Sequence, residues 1–234
     1  MIDLQPQIVL DNLPLLAAGL LLTLKLVGSA LLLGLALAIP LARLRASRNR
    51  LLGAPVFAYT YFFRGTPLLI QLLVLYYGLA QFAWVRASPF WEYLREPYWC
   101  ALIAFSLNTC AYTTEIFAGA MRAIPHGEVE AARAYGMGPF TQFRRIILPS
   151  AWRRAIPAYS NEIVLTLQGS SIASAVTLVD LTGAGRSLYS DYYAPFEAFL
   201  CVGLIYLALT VVLVGLFRLA ERRFLAHMAP RRAH

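Results

Sequence analysis

The sequence predicts an all-α integral membrane protein of five transmembrane helices, with the N-terminus periplasmic and the C-terminus cytoplasmic, and three observations carry that expectation. Of its 234 residues, 59% are hydrophobic and 14% charged, against about 45–50% and about 25% in soluble domains. The apolar residues fall in five long runs, and lipid offers the backbone no hydrogen bonds, so helices are the natural way across. Fifteen of the twenty basic residues follow the first, third and fifth runs, a bias that holds arginine-rich loops in the cytoplasm. The net charge of +8 thus reflects topology and lipid headgroups, and nucleic acid is not an expected partner.

The spans are read at about 13–39, 51–85, 98–121, 155–176 and 195–216. No Lys or Arg precedes the first run within Met1 to Gln7, so that run is expected to stay as an anchor and not to be cleaved as a signal peptide. The second run is too long for one straight crossing and is broken near 64–67 by Arg64-Gly65-Thr66-Pro67; the crossing proper is expected from Pro67 to Phe82, with neighbouring helices covering the freed backbone groups. Arg43, Arg45, Arg48 and Arg50 follow span one, Arg122, Arg133, Arg144, Arg145, Arg153 and Arg154 follow span three, and Arg218, Arg222, Arg223, Arg231 and Arg232 follow span five. Arg86, Arg95 and Arg186 are assigned to the other side, where Trp84, Trp91 and Trp99 form an interfacial belt. Cys100, Cys110 and Cys201 have no paired spacing, which indicates small buried hydrophobes rather than disulfides or a metal site. His126, His227 and His234 are expected at the cytoplasmic surface. With no internal repeat or low-complexity linker, residues 1–234 read as one membrane domain.

The cytoplasmic connection 125–154 is unusual loop material. Glu128 to Tyr135 consists largely of helix formers, Gly136 is a natural stop and Pro139 can start a second helix. Two short helices joined at Gly136 to Pro139 are expected, with Glu130 and Arg133 three residues apart and able to pair, and Ala131, Ala132 and Ala134 leaving a slim face for close approach to another protein. On helix chemistry alone, a solvated interfacial hairpin fits as well.

Glu130-Ala131-Ala132, Gly136, Ile146 and Leu148-Pro149 stand at the spacing of the EAA loop, and the chain thereby resembles the permease subunits of ABC importers. Arg64-Gly65-Thr66-Pro67, Asn108 to Glu115, Arg122-Ala123-Ile124-Pro125 and Tyr159-Ser160-Asn161-Glu162 extend the resemblance to polar amino acid permeases, most like the M-type subunit of histidine/lysine/arginine/ornithine and arginine systems. The resemblance runs from about Leu13 to His227. It implies a bacterial inner-membrane protein whose loop is a coupling helix seated on a separate ATP-binding subunit. It further implies two such subunits carrying ATP and Mg, a second permease subunit that is a paralogue rather than a copy, and a periplasmic amino-acid-binding protein. The chain has no G-x-x-x-x-G-K-[ST] loop of its own, so it is expected to be non-catalytic and to hold no cofactor or metal.

Ionisable groups inside spans cost at least about 2.5–3.5 kcal/mol on insertion scales, so each needs a partner or a job. Glu162 lies five residues past Pro157 and Glu115 six before Met121, placing both about 7–9 Å inside the same face at helical rise. Facing inward, they would suit a guanidinium, ammonium or imidazolium side chain or the substrate's α-amino group; otherwise they neutralise Arg64 and Lys25. The resemblance assigns Asn161-Glu162 to substrate contact, whereas a second acid of some relatives is replaced by Gly169. Thr66, Thr166, Gln168, Ser170 and Ser171 are candidates for neutral hydrogen bonds to substrate, although membrane hydroxyls also bond their own backbone. Arg64 is expected to snorkel to the cytoplasmic interface, with contact to a substrate carboxylate as the alternative, and Lys25 has no evident partner.

A binding protein is expected on the external segments Pro89 to Pro97 and Thr182 to Asp191, with ATP-driven closure pushing on residues 130–149 and the amino acid passing a weak site at Glu162. A non-cationic polar amino acid is the alternative substrate. A stand-alone secondary transporter would need inverted repeats or a ring of charges, and a membrane enzyme a catalytic cluster; the sequence shows neither.

Overall fold

The computed structural model describes residues 6–47 and 49–225, and its elements are helical throughout that range. Arg48, His227, Arg231, Arg232 and His234, all assigned above to the cytoplasmic face, lie outside the described residues. In chain order the helices are α1 (Pro6–Asp11), α2 (Leu13–Arg45), α3 (Arg50–Gly65), α4 (Leu68–Leu73), α5 (Ala83–Arg86), α6 (Trp91–Leu94), α7 (Pro97–Arg122), α8 (His126–Ala134), α9 (Pro139–Gln142), α10 (Leu148–Gly169), α11 (Leu181–Tyr192) and α12 (Pro195–Leu225).

Two of them, α2 and α12, are long and apolar enough to cross a membrane alone. Counting each bent pair as one span brings the number to four: α3 with Leu68–Gln81, which meet at 100°, and Pro139–Val176 with α11, which meet at 48°. Helix α7 has the length, 26 residues, but Asn108, Thr109, Thr113, Thr114 and Glu115 make it less apolar. Its position explains this: α7 is packed by α2, α3, α4 and α10, so much of its surface meets protein instead of lipid.

The α2–α7 seam rests on small residues. Ala30, Gly34, Ala38 and Ala42 recur every fourth position on α2 and are fully buried or nearly so; Ala101, Ala104, Ala111 and Ala118 face inward on α7 with no exposed surface. Such residues let helix backbones approach closely, which in lipid replaces the hydrophobic drive. A Cβ on Gly34 would stand 2.5 Å from Thr109 Cγ2, 3.2 Å from Cys110 N and 3.3 Å from Ser106 O.

The broken second run ends as α3 at Gly65 and restarts at Leu68. Beyond α4 the chain loosens into a π-helical turn over Val74–Gly78 and tightens into a 3₁₀ turn over Leu79–Gln81. The segment 182–191, read from sequence as an external loop, is instead helix α11. Leu181, Ala184, Gly185 and Leu188 recur at helical spacing and are buried against α2 and α12. Asp180 caps α11 by accepting from Gly183 N (2.9 Å), and Leu181 N donates to Thr23 Oγ1 on α2 (3.0 Å). Within 89–97 the short α6 also replaces loop.

The α2–α7 seam makes Gly34 its least forgiving position. Gly34→Ala is expected to lower the melting temperature of the detergent-solubilised protein, an overpacking cost of roughly 1–3 kcal/mol. Gly28→Ala on the same helix, where no atom lies within 4 Å, should leave it unchanged.

Candidate functional site

Helix α10 carries Glu162 into the bundle, where the residue is 6% exposed. It borders a cavity of about 180 Å³ lined by Leu68, Phe105, Asn108, Thr109, Tyr112, Glu162, Leu165 and Thr166. Three elements build it: α4 begins at Leu68, α7 presents Phe105, Asn108, Thr109 and Tyr112 at spacings of one helical face, and α10 presents Glu162, Leu165 and Thr166. Thr109 Oγ1 donates to Glu162 Oε1 (3.0 Å) and Thr166 Oγ1 to the same atom (3.3 Å). Among the described residues Oε2 has no hydrogen-bond partner and Glu162 no ion pair. One carboxylate oxygen is thus held in place and the other is free to accept from an N–H donor entering the cavity.

The loop preceding α10 is fastened to it. Gly136 takes the left-handed conformation (φ 73°) after α8, where Gly escapes a Cβ clash, and α9 runs through a π-helical turn, Phe143–Ile147, straight into α10. Buried Gln142 donates to Val129 O (2.9 Å), tying α9 to α8. The anticipated Glu130–Arg133 pair does not form among the described residues. Instead Glu128, two residues earlier on another face of α8, lies 3.6 Å from Arg154 and accepts from Ser150 Oγ (3.1 Å). Ala132 packs inward, while Glu130, Ala131 and Pro149 are exposed and Ile146 and Leu148 half-buried.

The family profile described as "Binding-protein-dependent transport system inner membrane component" matches residues 12–226. The chain belongs to this family. It is a non-catalytic permease subunit of an ABC transporter, with ATP hydrolysis on a separate subunit. Similar proteins include the histidine/lysine/arginine/ornithine transport system permease of Escherichia coli (strain K12), 46% identical over 92% of this chain and 91% of the relative. The octopine transport system permease of Rhizobium meliloti is 48% identical over 88% of this chain and 84% of its own. The nopaline transport system permease of Agrobacterium fabrum is 42% identical over 96% and 94%. A crystal structure of an amino acid ABC transporter with histidines superposes with a TM-score of 0.82, at 30% identity over 95% of this chain and 100% of the other. An inward-facing methionine ABC transporter shares the fold, with a TM-score of 0.74 at 22% identity over 93% of this chain and 97% of the other.

The permease does not gather all the residues singled out from its sequence into one place. Glu162 and Thr166 share the cavity, but Glu115 lies outside it. Arg45 Nε, at the end of α2, is 2.6 Å from Glu115 Oε1, Thr60 Oγ1 donates to the same oxygen (2.8 Å), and Arg122 Nη2 is 4.0 Å from Oε2. Its partners are therefore Arg45 and Arg122, not Arg64 or Lys25. Asn161 turns away from Glu162, as adjacent helical positions must, and lines a separate cavity against α12. Ser170 is buried and donates to Leu167 O (2.6 Å), Ser171 donates to Gln168 O, and Gln168 is exposed. Thr66 donates to Phe62 O (2.9 Å). Lys25, which lacked an evident partner, sits 5.1 Å from the centre of the Tyr98 ring. Thr109, Asn108 and Tyr112 were not singled out as ligands. Their signal was available in the polar face that runs through Asn108 to Glu115.

Helices α2, α3 and α7 meet at Glu115, so Glu115→Gln is expected to lower the thermal stability of the purified permease by about 1–3 kcal/mol through the half-buried Arg45 it leaves without a full counter-charge, and to leave substrate affinity unaltered. Altered affinity at unaltered melting temperature would return Glu115 to the pathway.

Proposed function

We propose that this permease passes a cationic amino acid, of the arginine, ornithine, lysine and histidine group, from a periplasmic binding protein to the cytoplasm. The observation that carries the reading is Glu162: a carboxylate in a cavity of the bundle, one oxygen held by Thr109 and Thr166 and the other unpartnered. A guanidinium, ammonium or imidazolium group supplies the missing donor and charge. Relatives that serve histidine, lysine, arginine and ornithine support the substrate class. In this reading Thr166 and Glu162 contact substrate, and Asn161, Glu115, Thr66, Gln168 and Ser170 act on the surrounding helices. Gly169, with open space around it where some relatives carry an acid, favours a second reading, a polar amino acid without a cationic side chain.

The proposed assembly comprises two ATP-binding subunits holding ATP and Mg, a second permease subunit that is a paralogue, and the binding protein. The chain is taken as one domain, 1–234, with α2, α3–α4, α7, α10 and α12 as its five spans, the N-terminus periplasmic and the C-terminus cytoplasmic, in the bacterial inner membrane. The loop 125–154 is taken to seat on the ATP-binding subunit through Glu130, Ala131, Ala132, Gly136, Ile146, Leu148 and Pro149. The exposed Tyr135 and Phe140 beside it supply apolar surface for that contact.

Reconstituted with its partners, the complex should hydrolyse ATP faster with binding protein loaded with each of the four cationic amino acids than with neutral ones. Glu162→Gln should cut uptake roughly tenfold or more; unchanged uptake would remove the site while leaving family membership intact. Gly136→Val forces a β-branched side chain into a left-handed conformation, and is expected to weaken substrate-stimulated hydrolysis with the complex still assembled. Hydrolysis at the wild-type rate would show that the bend at Gly136 is not needed for coupling.

A further inference from the structure

Arg64 is an ionisable side chain that the preceding reading leaves without a role. It is exposed at the last turn of α3, with its guanidinium carbon 5.2 Å from the centre of the Tyr112 ring. The snorkelling expected from sequence does not fit this position. Tyr112 stands ten residues before Arg122 on α7, about 15 Å from that helix end at helical rise, so Arg64 lies near the middle of the bundle. Among the described residues no carboxylate lies within ion-pair distance of it. A cation at that depth faces a water-filled path or a ligand rather than lipid.

Its location is built. At the 100° bend between α3 and α4, Pro67 has no N–H and the α3 carbonyls lose their helical donors. The side chain of buried Gln71 replaces them, with Nε2 2.8 Å from Phe63 O, 3.1 Å from Thr66 O and 2.8 Å from Thr66 Oγ1. Asn108 Nδ2 donates to Phe63 O (3.1 Å) and Gln71 Oε1 (3.2 Å). Residues on both sides of Arg64 are thereby fixed to α4 and α7. Tyr112 and Asn108 are also walls of the Glu162 cavity. Arg64 thus stands against the Tyr112 wall of the cavity that Glu162 borders.

Resting on the Glu162 reading, we infer that Arg64 receives the α-carboxylate of the substrate while Glu162 receives its cationic group, so that the permease itself selects amino acids carrying a free carboxylate. A planar guanidinium can grip a carboxylate through two parallel N–H bonds. The Tyr112 ring holds it when no substrate is present. Gln71 and Asn108 are positioning residues for Arg64.

The test uses the assembled complex, nucleotide-free and without binding protein, so that selectivity belongs to the membrane subunits. Binding of arginine and of argininamide, which lacks the carboxylate charge, is compared by ligand-observed NMR, which registers millimolar affinities. The wild type should prefer arginine by roughly tenfold; Arg64→Gln should bring the two ligands to similar affinity, and Arg64→Lys should retain part of the preference. A tenfold preference persisting in Arg64→Gln, equal binding of both ligands by the wild type, or Arg64 variants that lose their partner subunits would each overturn the inference. Glu162→Gln separates the two claims: if it leaves both ligands bound as before, the Glu162 reading fails, whereas failure at Arg64 alone leaves that reading standing.

Discussion

A chain inside lipid must satisfy its own backbone, and at the Thr66–Pro67 break this permease does so with two side-chain amides. Gln71 and Asn108 take over the carbonyls that helix geometry has released. Without them a sharp turn between α3 and α4 would strand polar groups where no water competes, at a cost of several kcal/mol for each group. The turn in turn brings Leu68 to the edge of the Glu162 cavity and leaves α7 room to expose Asn108, Thr109 and Tyr112 to it. A local repair of hydrogen bonding therefore sets the shape of the site.

Packing and chemistry draw on the same atoms. Gly34 lets α2 press against Thr109, and Thr109 holds one oxygen of Glu162. Less than two turns further along α7, Glu115 ties Arg45 of α2 and Thr60 of α3 together. Both acids are in α-helices of the bundle, yet one is consumed by structure and the other retains an unused oxygen. What separates them is the pair of guanidinium groups, Arg45 and Arg122, within reach of Glu115.

Much of this was legible in the amino-acid order and some was not. Composition and long apolar runs specify a helical membrane protein, and the fixed spacing from Glu130 to Pro149 is specific enough to identify the importer family. The partner of Glu115 is not legible in the sequence because Arg45 is 70 residues away and no local pattern records that contact. Asn161 was grouped with Glu162 as a neighbour in the chain, although successive helical residues point about 100° apart. The α11 segment reads as loop because Thr, Gly, Ser and Asp interrupt it, while the buried Leu181, Ala184 and Leu188 are too few to register as a hydrophobic run. The every-fourth-residue series Ala30, Gly34, Ala38 and Ala42 was in plain view, but small residues signal close approach only once a partner helix is known.

Glu128 fastens the hairpin of α8 and α9 to the foot of α10, and Glu162 stands thirteen residues beyond Pro149 on that same helix. At helical rise that is a lever arm of about 20 Å. A tilt of about 10° pivoting at its base would swing the carboxylate through some 3–4 Å, about the length of the bond from Thr109. Very modest travel at the hairpin is enough to release the anchored oxygen, so the anionic centre can change its grip without any helix unwinding.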